Sequence, residues 1–246
     1  MKKNGWTFGI ITDGHHSDRV YKIIESIKNQ SIDNFEIIII GDKKSNYQET
    51  DNTNFLDFDS EGNWDTSKKQ KFPISVKKNL IIKNSKYENI CFLHDYVLLE
   101  NNWYSGVCKF EKENNWEIFT NKIYSLDKVR VLDWVITNHP FFYNKATLIP
   151  YHRNLNKYQY IPGYYWCAKT SLMQSNPLNE NLSWGEQEDI EWSKRVRLKS
   201  KFQFNPYSSV SFLKKKNGIW CSDNKRNRNF KIRSFLAILL FKLRIL

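Results

Sequence analysis

Residues 182–192 read LSWGEQEDIEW, and the interpretation of the whole chain depends on this stretch. Four carboxylates stand here between two tryptophans, although the chain is strongly basic: Glu186, Glu188, Asp189 and Glu191. A structural interpretation explains two of them, because Glu186 fits a capping box with Ser183 and Glu191 fits a helical ion pair with Arg195. This interpretation explains the adjacent Glu188 and Asp189 and the Trp184-Gly185 pair less well, so their role has to be inferred from the rest of the chain.

The composition is that of a folded chain with a large positive charge. Of 246 residues, 40% are hydrophobic, which is enough for a core in one large domain or in two closely joined halves. Lysine and arginine number 38 against 26 acidic residues, a formal net charge of +12. Such a field favours anionic partners, namely nucleic acids, phosphorylated metabolites or an acidic lipid surface, without choosing among them.

Cysteine spacing and the apolar runs predict a cytoplasmic protein. The four cysteines show no CxxC pair and resemble a reduced set: Cys91, Cys108, Cys167 and Cys221. The apolar run that ends at Asp13 is too short for a signal peptide. The longest apolar run, residues 235–241, is far shorter than the roughly 20 residues that a bilayer span needs.

The first hundred residues predict half of a nucleotide-binding α/β domain. Continuous apolar runs predict three buried strands, at residues 6–12, 35–40 and 90–93. A helix that Ser17 can cap follows the first strand, with apolar residues at i, i+3, i+4 and i+7. A short strand at 54–58 and a helix at 75–84 are also expected. Continuous rather than alternating apolar strands indicate a parallel sheet that is covered on both faces.

The remainder is more aromatic and less regular, and it predicts mixed topology. Strands are expected at residues 116–120, 164–168 and 208–213, a helix at 186–197, and a long loop at about 121–160. From Lys225 the chain becomes basic and then apolar. We therefore divide it into residues 1–100, 101–224 and 225–246, the last of these being a tail.

The three strong strands all end in polar residues: Thr12-Asp13-Gly14, Gly41-Asp42 and His94-Asp95-Tyr96. Ligands of open α/β sheets bind beyond the carboxyl ends of the strands, so three aspartates are expected at one edge. Asp and Gly are also ordinary residues at strand ends, but three such endings favour a functional interpretation.

Phosphate-binding motifs are absent, so a diphosphate would have to be held in another way. Neither GxGxxG nor GxxxxGK[ST] occurs. A bare aspartate repels a diphosphate, whereas an aspartate that holds Mg²⁺ or Mn²⁺ attracts it. His94 and Asp95 are therefore the candidate metal site. Asp13 and Asp42 are placed to accept hydrogen bonds from a base or a ribose.

Taken in order, these segments resemble the GT-A-fold glycosyltransferases of the broad family-2-like group, over about residues 6–213. The stretches that carry the resemblance are TFGIITDG, IIIIGD, SVKKNLIIKNSKYENICFLHDY, PGYYWCAK and PLNENLSWGEQEDIEW, of which the last is the most specific. One departure is that the DxD motif stands as His94-Asp95-Tyr96. The resemblance implies an α/β fold with a mostly parallel central sheet flanked by helices, and a glycosyltransferase of the hexosyltransferase type.

The resemblance also implies roles for individual residues. Asp189 would be the base of an inverting transfer to a hydroxyl acceptor, with Glu188 beside it. The nucleotide of the donor, UDP being the most expected, would contact Thr12, Asp13, Gly14, Asp42, Lys78 and Asn79. A Mn²⁺ or Mg²⁺ ion would sit on Asp95 and His94, and the acceptor on Trp184, Gly185, Asp133 and Trp134. On sequence alone, Lys77, Lys78 and Asn79 form a solvated helix face, and Asp133 and Trp134 fit a core or loop role.

The tail leaves two interpretations open. Basic residues flank its apolar centre, which fits a segment on an anionic membrane at the inner face of the plasma membrane, but also a helix docked on the protein's own core. A membrane location would suit a lipid-linked or other glycan acceptor in cell-surface polysaccharide assembly.

Other functions are weaker alternatives. A nucleic-acid partner is not expected, because RRM, KH, zinc and helix-turn-helix patterns are absent. A nucleotidyltransferase would need a Gly-rich, Lys-containing segment after the first strand. A non-catalytic GT-A-like protein that binds sugars or partners stays open because of the altered DxD motif.

Overall fold

The computed structural model describes residues 2–41, 50, 52–58, 72–142, 145–214 and 225–243. Their strands are β1 (Lys3–Ile11), β2 (Phe35–Gly41), β3 (Thr53–Asp57), β4 (Tyr87–His94), β5 (Val97–Leu99), β6 (Ile118–Tyr124), β7 (Val135–Ile136), β8 (Thr147–Leu148), β9 (Gln159–Tyr160), β10 (Tyr165–Lys169) and β11 (Gln203–Phe212). Their helices are α1 (Ser17–Lys28), α2 (Ile74–Asn84), α3 (Trp103–Glu113), α4 (Thr170–Ser175), α5 (Glu188–Val196) and α6 (Lys225–Lys242).

One large sheet joins both halves of the chain. Among the described residues its strand order is β3-β2-β1-β4-β10-β6-β11-β5. The pairings β2–β3, β1–β2, β1–β4 and β6–β11 are parallel. Strand β10 runs antiparallel to both of its neighbours, and β5 antiparallel to β11. The predicted α/β class and the mixed second half are confirmed.

Helices cover both faces of the parallel part, as the continuous apolar strands predict. One face packs Phe8 and Ile10 against the apolar stripe of α1, and the other packs Ile11 against α2. Gly9 allows α2 to approach, because a Cβ atom there would lie 2.6 Å from Cγ2 of Ile81. Because both faces of these strands are buried, their residues are apolar in a continuous run and do not alternate with polar ones.

Several elements of the described chain were not expected from the sequence, namely a second sheet, α3, α4 and β5. Residues 121–160 are not a long loop, because they carry β7, β8 and β9 of a second sheet and the 3-10 turn Pro140–Phe142. Their two-residue strands are too short for periodicity to reveal. Helix α3 was also missed, although it buries Trp103, Gly106, Val107 and Phe110 at helical spacing.

The described cysteines Cys91, Cys108 and Cys167 are free thiols, as predicted. Cys221 lies outside the described residues. Within the described part of the chain, none of the helices combines the length and apolar character needed to cross a bilayer.

Candidate active site

A cavity of about 800 Å³ lies where β1 and β4 end, beside the first turn of α5. The ends of these strands are joined directly, since the amide of Asp95 donates to the carbonyl of Ile11 at 3.0 Å. The lining includes seven residues that the sequence singles out: Asp13, His94, Asp95, Trp184, Gly185, Glu188 and Asp189. Asp42 lies outside the described residues. The sequence thus locates the charged residues of the cavity wall except Lys214, together with Trp184 and Gly185.

Thr12 holds Asp95 in place rather than lining the cavity. Its hydroxyl donates to Oδ2 of Asp95 at 3.0 Å and accepts the amide of Gly14 at 3.0 Å. Gly14 has a φ of 82°, a conformation that favours glycine. Burial raises the pKa of Asp95, and the Thr12 hydroxyl works against that increase. Thr12 therefore joins the turn after β1, which includes Gly14, to the Asp95 carboxylate at the end of β4.

The candidate metal ligands lie in this same cavity. His94 places Nδ1 3.2 Å from the hydroxyl of Tyr96, and both His94 and Asp95 line the cavity together with Asp13. In the described residues, no cluster of three or more His, Cys, Asp or Glu side chains is arranged to hold a metal. The carboxylate oxygens of Asp95 and Asp13 are donors that suit Mn²⁺ or Mg²⁺, with a diphosphate or water supplying further ligands.

Glu188 and Asp189 open helix α5 after a sharp turn. Gly185 and Gln187 both have left-handed backbone angles, with φ of 85° and 66°. Oδ2 of Asp189 accepts the amide of Gly163 at 2.8 Å, and Oδ1 accepts the amide of Ile190 at 2.8 Å. These donors, together with the helix N-terminus, fix the Asp189 carboxylate and favour its charge.

Lys78 lies behind these carboxylates and is fully buried. Its Nζ is 3.6 Å from Oε1 of Glu188 and 4.4 Å from the ring centroid of Trp166. Burial lowers the pKa of Lys78, while Glu188 and Asp189 oppose that decrease. Lys77 is buried as well and donates to the carbonyl of Thr12 at 2.9 Å. The solvated helix face expected from the sequence is therefore wrong for both lysines.

Burial, together with the neighbouring charge of Glu188, raises the pKa of Asp189 to about 6. Lys78 and the amides of Gly163 and Ile190 act in the opposite direction. The group is thus anionic at neutral pH, yet more basic than an exposed aspartate. This combination suits a general base.

Gly163 lies close to Glu188, Lys78 and Asp189, and its lack of a side chain leaves room for these three groups. A Cβ atom at Gly163 would lie 2.8 Å from Oε1 of Glu188, 3.2 Å from Nζ of Lys78 and 3.3 Å from Cβ of Asp189. No larger residue fits without displacing these groups.

Lys214 is a cavity residue that the sequence analysis missed. It follows β11, and its Nζ lies 3.9 Å from the ring centroid of Tyr96. Its charge also acts to lower the pKa of Asp95. Among the described residues, it is the one lysine that lines the cavity, against four carboxylates. The LKKK run at the end of a predicted strand was the available signal.

Three predicted site residues lie elsewhere. Asn79 bonds to the main chain of Leu178 and, at 2.9 Å, to the carboxylate of Glu180. Asp133 is fully buried and accepts from Arg130 at 2.8 Å and from Tyr151 at 2.7 Å. Trp134 is buried beside it. An acceptor-binding role for Asp133 and Trp134 does not fit this burial, so both are structural residues.

The structural interpretation of the other two carboxylates holds in part. Glu191 pairs with Arg195 through contacts of 2.5 and 3.0 Å. Glu186 accepts the amide of Ser183 at 2.9 Å, but the helix begins only at Glu188, so this contact closes the preceding turn. Trp184 is 61% exposed at the cavity, whereas Trp192 is buried in the core, as expected.

Comparison with known proteins finds solved structures that are similar to this chain. Models of known protein families and curated protein sequences gave no match. The chain is similar to S. aureus TarS 1-349, with a TM-score of 0.54 and 14% identity over 82% of this chain and 60% of that one. Its complexes with UDP and with UDP-GlcNAc give TM-scores of 0.53 and 0.55 at 14% identity. Those matches cover 96% and 98% of this chain and 72% and 76% of the TarS chains.

TarS is a GT-A glycosyltransferase of the family-2-like kind. At 14% identity the likeness establishes a shared fold. The GT-A fold implied by the sequence resemblance is therefore confirmed.

Proposed function

We propose that this chain, which has the GT-A fold, is a glycosyltransferase that moves a sugar from a nucleoside-diphosphate sugar to a hydroxyl acceptor. The main support for the proposal is the Asp189–Glu188 pair at the start of α5, which lines the same cavity as Asp95. The TarS complexes with UDP and UDP-GlcNAc support a sugar nucleotide as donor, with uracil as the first base to test.

In the proposed reaction, Asp189 takes the proton of the acceptor hydroxyl. The acceptor oxygen attacks the anomeric carbon, and the bond from that carbon to the diphosphate oxygen breaks. The bonding electron pair leaves with the nucleoside diphosphate. A single displacement of this kind inverts the anomeric centre and needs no protein nucleophile. Glu188, the neighbour of Asp189, would keep the base oriented and raise its basicity.

The departing diphosphate is anionic and the cavity wall carries four carboxylates, so a positive charge is needed beside it. Lys214 is placed to contact it, since its ammonium group lies over the Tyr96 ring in the same cavity as Asp95. Asp95 and His94 would hold a divalent cation. When bound, Mn²⁺ or Mg²⁺ would supply charge that neutralises the diphosphate oxygens.

The acceptor would enter on the side of Trp184 and Gly185. Trp184 offers an exposed indole face to the cavity, and such a face stacks well on the apolar side of a sugar ring. This supports a glycan or lipid-linked sugar as acceptor, as in cell-surface polysaccharide assembly.

Replacing the base tests the proposal. We expect Asp189→Asn to lower transfer from UDP-GlcNAc by about 10²- to 10⁴-fold, the usual contribution of a general base. Binding of UDP should be retained, because Asp189 acts on the acceptor. The matched control is Glu191→Gln on the same helix, which loses only a surface pair with Arg195. Full turnover by Asp189→Asn, or an equal loss in the control, would show that Asp189 is not the base.

A further inference from the structure

Helix α6 has one face that is docked on the protein. Ser234, Ala237 and Phe241 are buried, and the Ser234 hydroxyl accepts the amide of Leu148 at 3.0 Å. The guanidinium of Arg153 lies 5.6 Å from the ring centroid of Phe241. The interpretation of the tail as a docked helix is thus correct for this face.

The opposite face is apolar and open to solvent. Its large side chains are between 39% and 67% exposed: Ile232, Phe235, Leu236, Leu239 and Leu243. They recur every three or four residues, with Phe235 and Leu236 adjacent, which places them along one side of the helix. Single exposed apolar residues are normal on a protein surface, but a continuous stripe of five indicates a binding surface.

Basic groups accompany this stripe. From Lys225 to Leu246 the sequence has seven lysines and arginines and no acidic residue: Lys225, Arg226, Arg228, Lys231, Arg233, Lys242 and Arg244. The apolar stripe and the basic residues are therefore complementary to a surface that is both apolar and negatively charged.

We propose that α6 lies flat on an anionic phospholipid surface, with the stripe from Ile232 to Leu243 in the acyl boundary. A helix with an exposed apolar face and a basic sequence binds an anionic bilayer in this way without crossing it. The basic groups contact lipid phosphates and the docked face keeps the helix attached to the domain. This inference is independent of the proposed transfer reaction.

Vesicle flotation of the full chain tests the inference. We expect binding to vesicles of phosphatidylcholine with phosphatidylglycerol, weaker binding to phosphatidylcholine alone, and loss of binding as salt is raised. The triple variant Ile232→Ser, Phe235→Ser, Leu239→Ser should bind at least about tenfold more weakly, because it removes apolar contacts. The control is Leu198→Ser, which removes an apolar side chain that is 84% exposed outside this helix.

Three results would overturn the inference. The first is no flotation of the wild type, and the second is equal flotation of the triple variant. The third is a wild-type dimer that becomes a monomer in the triple variant without vesicle binding, which would assign the stripe to a second copy of this chain. If the triple variant unfolds, Phe235→Ser alone gives the same comparison. UDP binding, measured in parallel, should be unchanged in all variants, so failure here is distinguishable from failure of the proposed function.

Discussion

At the scale of single residues, Asp189 combines a raised pKa with a retained charge. Burial and Glu188 raise its pKa, while Lys78 and two amide donors limit the increase. A carboxylate held in this way stays deprotonated near neutral pH and can still take a proton from an acceptor hydroxyl. The effect of Glu188 can be expected from the sequence because it is the preceding residue, whereas that of Lys78 cannot, because Lys78 is more than one hundred residues away along the chain.

This balance predicts the acid side of the pH profile. Only deprotonated Asp189 can accept the acceptor proton, so kcat/KM should fall as the pH drops through about 6. Steady-state rates on the full chain across this range check the expectation. A rate that stays constant well below that pH would exclude Asp189 as the titrating base.

Lys214 gives a second prediction at this scale. Lys214→Ala should raise the Kd for UDP by about tenfold, since a charge-assisted contact to phosphate would be lost. Isothermal titration with UDP measures this. The matched control is Lys109→Ala, because Lys109 also stacks on a tyrosine, Tyr207, at 4.0 Å, but outside the cavity. Equal affinities of wild type and Lys214→Ala would remove Lys214 from the diphosphate site.

At the scale of elements, the site depends on how closely the start of β10 approaches α5. Gly163 stands just before β10 and donates to Asp189, while its missing side chain leaves room for Glu188 and Lys78. The start of β10 also lies beside the end of β4, since the two strands pair antiparallel and the amide of His94 donates to the carbonyl of Tyr164 at 3.1 Å. Asp95, which follows β4, and Asp189, which accepts from Gly163, thereby line one cavity.

Gly163→Ala should therefore impair catalysis more than folding. The added methyl group has to displace the ends of Glu188 and Lys78, so we expect transfer to fall by at least about tenfold with UDP binding retained. The contrasting variant is Gly9→Ala, whose methyl group meets Ile81 in the core and should lower Tm instead. Normal transfer by Gly163→Ala would show that this close approach is not needed.

The elements also show where sequence reasoning succeeds. Strands β1, β2 and β4 were predictable because burial on both faces leaves long apolar runs. The three-stranded sheet was not, because β7, β8 and β9 have two residues each and no period. The sequence predicts that Lys77 and Lys78 of α2 face solvent, but both are buried, since their burial depends on partners from distant segments.

At the scale of the whole molecule, the charge is unevenly distributed. The chain carries a formal charge of +12, yet the described cavity wall has four carboxylates. Basic residues concentrate instead near α6. The ordered motifs predicted the fold and the residues at the strand ends and the start of α5. They did not predict Lys214, because its approach to Tyr96 in the cavity follows from packing between distant segments.

The most direct measurement for the central claim is the thermal stability of the full chain with UDP-, GDP-, CMP- and dTDP-sugars, each with and without Mn²⁺. A ligand that binds only the native state raises Tm. The proposed function predicts an increase with a UDP-sugar that is larger when Mn²⁺ is present, because Asp95 and His94 would then share a cation with the diphosphate. No increase with any of these sugar nucleotides, with or without Mn²⁺, would contradict a glycosyltransferase site in this cavity.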